Sequence, residues 1–115
     1  MDARHQENFG LSDRDMRTLR GVLERYPSVR SVFIFGSRAK GSSYKGSDID
    51  LAIMNEGVSD TIIAQMKADF QEGTLPYFVD VINYPALQHP ELKSHIDRVG
   101  KLFYQKKTGF PPSRQ

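Results

Sequence analysis

The chain of 115 residues contains no cysteine, so it has neither a disulfide framework nor thiolate chemistry to draw on. A domain of this length can still fold on a modest apolar core. No apolar run approaches the ~20 residues that a membrane-spanning helix needs. The stretch Met1-Asp2-Ala3-Arg4-His5-Gln6-Glu7 lacks the apolar centre of a signal peptide, and the expected location is cytoplasmic. Neither sign of charge dominates. Sixteen Lys and Arg against fourteen Asp and Glu leave a formal charge of +2, too little for nucleic-acid binding by bulk electrostatics. The three histidines, His5, His89 and His95, lack metal-ligand spacing and receive no role. Apolar residues at 38% and charged residues at 26% are those of a globular domain rather than a disordered or membrane chain.

What is present reads as alternating helices and strands. Ser12 caps a helix with Asp13 and Asp15 in its first turn; Met16, Leu19, Leu23 and Tyr26 recur at helical spacing until Pro27. Ser31 to Phe35 is a short apolar strand ended by Gly36. A turn, a short helical piece and a loop follow, and Asp48 to Met54 forms the second strand. Ser59 and Asp60 open a second long helix with Ile62, Ile63, Met66 and Phe70 on its apolar face. Tyr77 to Ile82 is the third strand, Pro90 starts the last helix, and Lys101 to Tyr104 is a short edge strand. The fold class is α/β, a small mixed sheet covered by helices. Residues 1–106 form a single domain with 1–10 frayed, and 107–115 are a flexible tail around Pro111-Pro112.

The second strand carries the chemistry. Alternation places Asp48 and Asp50 on one face and Ile49, Leu51 and Ile53 on the other. Neighbouring ionised carboxylates repel, and hard divalent cations with oxygen ligands are a natural bridge between them. Asp80 shares a face of the third strand with Phe78 and Ile82, where an unpaired carboxylate is costly to bury. If the two strands are neighbours, three carboxylates converge in a two-metal site. Gly36 lets a ligand approach the backbone, and a helix starting at Ser37 offers free amides and a hydroxyl to a phosphate. Arg38, Lys40 and Lys45 are available to neutralise a triphosphate.

At these residues the sequence resembles the polymerase-β-like nucleotidyltransferase superfamily, whose signature is Gly-Ser, ten residues, Asp-x-Asp, then a third Asp on a later strand. Gly36-Ser37, Asp48-Ile49-Asp50 and Asp80 match it without a gap. Four fixed positions recur by chance in a chain this long about once in a thousand, so the match is specific. The length points to the minimal group, the MNT antitoxins of HEPN toxins, over roughly Leu11 to Tyr104. The resemblance implies the nucleotidyltransferase fold and an enzyme, a Mg²⁺-dependent protein adenylyltransferase of a type VII toxin–antitoxin pair. Its members move AMP from ATP to a tyrosine hydroxyl of the toxin and so silence its RNase activity. By the same resemblance Asp48 and Asp50 hold Mg²⁺, and Asp80 completes the metal site and favours hydroxyl deprotonation. Gly36, Ser37 and Arg38 hold the triphosphate. The implied partners are a helical HEPN-type toxin, in a hetero-oligomer, and a nucleoside triphosphate; no membrane and no direct nucleic-acid contact is expected.

Plainer alternatives stand beside these. Gly36-Ser37 alone is ordinary strand-ending punctuation. Asp48 and Asp50 alone are a solvated edge face, Asp80 alone a structural acid paired with an arginine, and the basic loop residues solvated charges. In function, the alternatives are a non-catalytic antitoxin that masks its partner and a transferase acting on a small molecule.

Overall fold

Ser12 and Ser59 both act as helix caps. Their hydroxyl oxygens accept the Asp15 and Ile62 amides at 3.0 and 3.2 Å, satisfying donors that a helix start leaves open. The computed structural model describes residues 8–41 and 46–106. In chain order these form α1 (Asp13–Glu24), β1 (Ser31–Phe35), α2 (Ser37–Lys40), β2 (Ile49–Ile53), α3 (Asp60–Glu72) and β3 (Val79–Asn83). A 3-10 turn (Tyr84–Ala86), α4 (Pro90–Val99) and β4 (Lys101–Gln105) follow. The anticipated tail at 107–115, and Lys45 and His5, lie outside the described residues.

The strands make one mixed sheet in the order β3-β2-β1-β4. β1 runs antiparallel to β2 and β4, whereas β2 and β3 are parallel. A parallel pair needs a crossover long enough to return the chain to the same end of the sheet, and α3 supplies it. Strand alternation then divides the side chains between two faces. One face packs Ile34, Ile49, Leu51 and Val81 against Leu19 and Leu23 of α1 and Met66 and Phe70 of α3. The other carries a smaller cluster in which Phe35 and Ala52 meet Ile96 of α4, with Leu92 and Val99 beside it. Asp50 and Asp80 belong by alternation to this second face. A Cβ on Gly100 would fall 2.6 Å from the Ile96 carbonyl oxygen, so glycine is what allows α4 to pass directly into β4.

Several boundaries differ from expectation. β2 begins at Ile49 and leaves Asp48 just ahead of the strand; β3 begins at Val79 rather than Tyr77. Phe9, expected in a frayed segment, is instead buried at 7% exposure, its ring centroid 6.0 Å from that of Phe103 on β4. Burying a phenylalanine favours the folded state by about 1.5–3 kcal/mol, enough to hold a short segment against the entropy that frays it. No helix among the described residues is long and apolar enough to cross a membrane.

Candidate active site

The order of the sheet brings three chain segments to one end of it. β1 finishes there in Gly36, while β2 and β3, running the other way, start there. Asp50 is paired with Phe35 on one side and with Asp80 on the other, so the two carboxylates occupy adjacent strands at the same level. Asp48 lies two residues ahead of Asp50 and is exposed. Ser37, Gly46, Ser47, Asp48 and Asp50 line an open cavity of about 370 Å³.

Gly36 is the hinge of this arrangement. Its φ of +78° and ψ of −156° fall in a region open essentially only to glycine. A Cβ there would lie 2.5 Å from Asp50 Oδ2, so the missing side chain is the space that the carboxylate occupies. α2 then begins at Ser37 as a single turn.

The electrostatics follow from this crowding. Burial raises the Asp50 carboxyl above its ordinary range, and the charges of Asp80 and Asp48 raise it further. His95, on α4, works in the opposite sense and favours the charged carboxylate. Its ring stands edge-on to Phe35, with 6.1 Å between centroids. Asp80 has its own cation, with Lys67 Nζ of α3 3.7 Å from Oδ1. The alternative reading of Asp80 as an ion-paired acid therefore has a partner, but it is a lysine. Among the described residues no three acids or histidines are drawn close enough to hold a metal ion unaided. The all-oxygen donor set suits a hard divalent cation of the kind that completes its shell with water and substrate phosphate oxygens. Excess negative charge around Asp50 is what such an ion would relieve.

Arg38 stands apart from the cavity. Expected at the triphosphate, it is turned away from the cavity and only 3% exposed. Its Nε and one terminal nitrogen donate to the Ser47 carbonyl at 3.1 and 2.8 Å, and the other terminal nitrogen donates to the Phe9 carbonyl at 2.9 Å. The guanidinium carbon lies 4.7 Å from the Tyr77 ring centroid. Consecutive helical residues point about 100° apart, so a turn that presents Ser37 to the cavity carries Arg38 toward the interior. One side chain thereby ties together the segment before α1, the loop before β2 and the approach to β3. Arg38→Met should cost about 2 kcal/mol in thermal unfolding, because the buried Phe9 carbonyl and the half-buried Ser47 carbonyl lose a charged donor. Nucleotide affinity per folded molecule should stay unchanged, and a selective loss of that affinity would return Arg38 to the triphosphate.

Lys67 and His95 were not anticipated beside the acids. Neither has a local signal: Lys67 is one polar position of an amphipathic helix, and His95 precedes a core isoleucine. Only the packing of α3 and α4 on the sheet brings them to the site.

Comparison with known proteins places this geometry among others. A family model described as Polymerase beta, Nucleotidyltransferase matches residues 17–109. A curated relative from Haemophilus influenzae, the probable protein adenylyltransferase MntA, is 32% identical over 75 residues, covering 64% of this chain and 66% of its own length. Just under two thirds of that relative is therefore spanned. Among solved structures, a toxin–antitoxin complex with AMP-PNP superposes with a TM-score of 0.65 at 18% identity, over 81% of this chain and 75% of the other. A complex of tri-AMPylated Shewanella oneidensis HEPN toxin with MNT antitoxin gives 0.56 at 15% identity, over 84% and 74%. At these identities the superpositions show the shared fold.

Proposed function

From the premise that the chain belongs to the polymerase beta nucleotidyltransferase family, we propose that it transfers AMP from ATP to a tyrosine hydroxyl of a HEPN-type toxin partner. It would act as that toxin's antitoxin in a hetero-oligomer. The observation that carries this proposal is the level pairing of Asp50 with Asp80, beside Asp48 and the Gly36-Ser37 turn. The naming of the H. influenzae relative as an adenylyltransferase supports the donor and the class of acceptor.

Each residue has a task in this chemistry. The amides that follow Gly36 and the Ser37 hydroxyl receive the triphosphate oxygens. Asp48 and Asp50 would hold a divalent ion, Mg²⁺ by family expectation, with Asp80 completing the set. When bound, that ion supplies charge neutralisation and polarisation at the reacting phosphate. Asp80 faces the acceptor and draws the proton from its hydroxyl as the oxygen bonds to the α-phosphorus. The bond to pyrophosphate breaks, and pyrophosphate leaves on the side of Ser37.

The test is incubation of the protein with ATP labelled at the α-phosphate, Mg²⁺ and the product of the neighbouring gene. Label should appear on that partner, and Asp48→Asn should reduce it by about 100-fold or more. Neutralisation that survives unchanged in Asp48→Asn would establish masking by binding instead. Label on a small-molecule acceptor alone would redirect the assignment to that class.

A further inference from the structure

Phe78 is 54% exposed, at the very place where the sheet presents its carboxylates. Its backbone is fixed, because its carbonyl accepts the Ile49 amide at 2.9 Å. Carried back one step from the Ile49–Val79 pair, the register sets Phe78 beside Asp48. Val79 and Val81 are buried on the α1/α3 side, so alternation puts the Phe78 ring on the face of Asp80. Tyr77, the residue before it, meets Arg38. Among the described residues the other large exposed apolar side chain, Leu102, lies on β4 at the opposite edge, away from the acids, and carries no such implication.

Phosphoryl chemistry assigns a direction to this corner of the site. In the displacement at phosphorus, the attacking and leaving oxygens lie roughly in line on opposite sides. The phosphate cradle follows β1, the central acids sit at the start of β2, and β3 is the edge strand on the far side. With pyrophosphate leaving toward β1, the acceptor hydroxyl arrives over β3, where Asp80 and Phe78 stand. A ring held rigidly there and half open to solvent offers an apolar platform to whatever carries that hydroxyl. Aromatic rings pair favourably in offset or edge-on geometry, and their area is best buried against another ring.

We infer that Phe78 is an acceptor-binding residue, packing against the phenolic ring of the partner's tyrosine and holding its hydroxyl beside Asp80. The inference rests on the proposed function and adds to it the residue that selects an aromatic acceptor. Phe78→Ala should raise KM for the neighbouring gene's product about tenfold, leave KM for ATP unchanged, and leave the melting temperature near that of the parent because the ring is exposed. Phe78→Tyr should retain parental values, and Phe78→Leu should fall between them. A higher KM for ATP with an unchanged KM for the partner would give the ring to the nucleobase and overturn the inference, as would no change in either. Calorimetric binding of the same partner, measured without ATP, separates the two levels. If no label is transferred by the parent protein but Phe78→Ala still weakens binding about tenfold, the transfer reaction fails and the contact stands. If label is transferred and neither KM nor binding responds to Phe78→Ala, the contact fails and the reaction stands.

Discussion

Gly36→Ala is expected to abolish transfer and to destabilise the fold. Two costs coincide at this position. An alanine held at φ +78°, ψ −156° is strained by about 1–3 kcal/mol before any contact is considered. The new Cβ would also press on Asp50 Oδ2 at 2.5 Å, with the carboxyl carbon at 3.4 Å. The backbone cannot retreat cheaply, since the Gly36 carbonyl accepts the Lys40 amide and starts α2. The carboxylate therefore has to swing, and it swings away from its place beside Asp80. Loss of labelled transfer by at least 100-fold, with a fall in melting temperature of about 10 °C, is the expected pair of readings. Transfer within a few-fold of the parent would mean that Asp50 does not work from the observed position.

Much of this site could be read along the chain because its signals are local and periodic. Ile49, Leu51 and Ile53 alternate with Asp50, and a slip of one residue would carry the carboxylate into the larger core. The Ser12 and Ser59 caps were legible for a similar reason, since the hydroxyl meets an amide three residues on. Gly36-Ser37, Asp48, Asp50 and Asp80 needed only their spacing to be selected as candidates.

What could not be read depends on distant partners. Phe9 meets Phe103 across nearly the whole chain, so its burial has no trace in its neighbours. Arg38 illustrates the harder case. A basic residue in a Gly/Ser-rich stretch looks the same whether it turns toward a phosphate or toward buried carbonyls. The direction is set by the rotation of one short helical turn, and it ends on Ser47 and Phe9. Lys67 likewise pairs with Asp80 only because α3 crosses beside β3. Alternation could say that Asp80 and Phe78 share a face, but the degree to which each is exposed came from the edge position of β3.

Asp50→Asn should remove activity by about 100- to 1,000-fold and yet raise the melting temperature at neutral pH by a few degrees. The carboxyl of Asp50 is held above the ordinary aspartate value of 3.8, first by burial and then by Asp80 and Asp48. The folded protein therefore binds this proton more tightly than the unfolded chain does. As pH rises from below 3.8 through the elevated folded value, stability is lost, and the penalty is complete above that value. Asparagine has no proton to lose and escapes it. The advantage of Asp50→Asn should accordingly shrink as pH falls and vanish below 3.8, where the parent side chain is neutral in both states. Mg²⁺ should act on the same excess charge from the other direction, raising the melting temperature of the parent protein and changing Asp50→Asn much less. A variant less stable than the parent at neutral pH, or a parent indifferent to Mg²⁺ with and without ATP, would mean that the carboxylates are not crowded in the way that a cation-binding site requires.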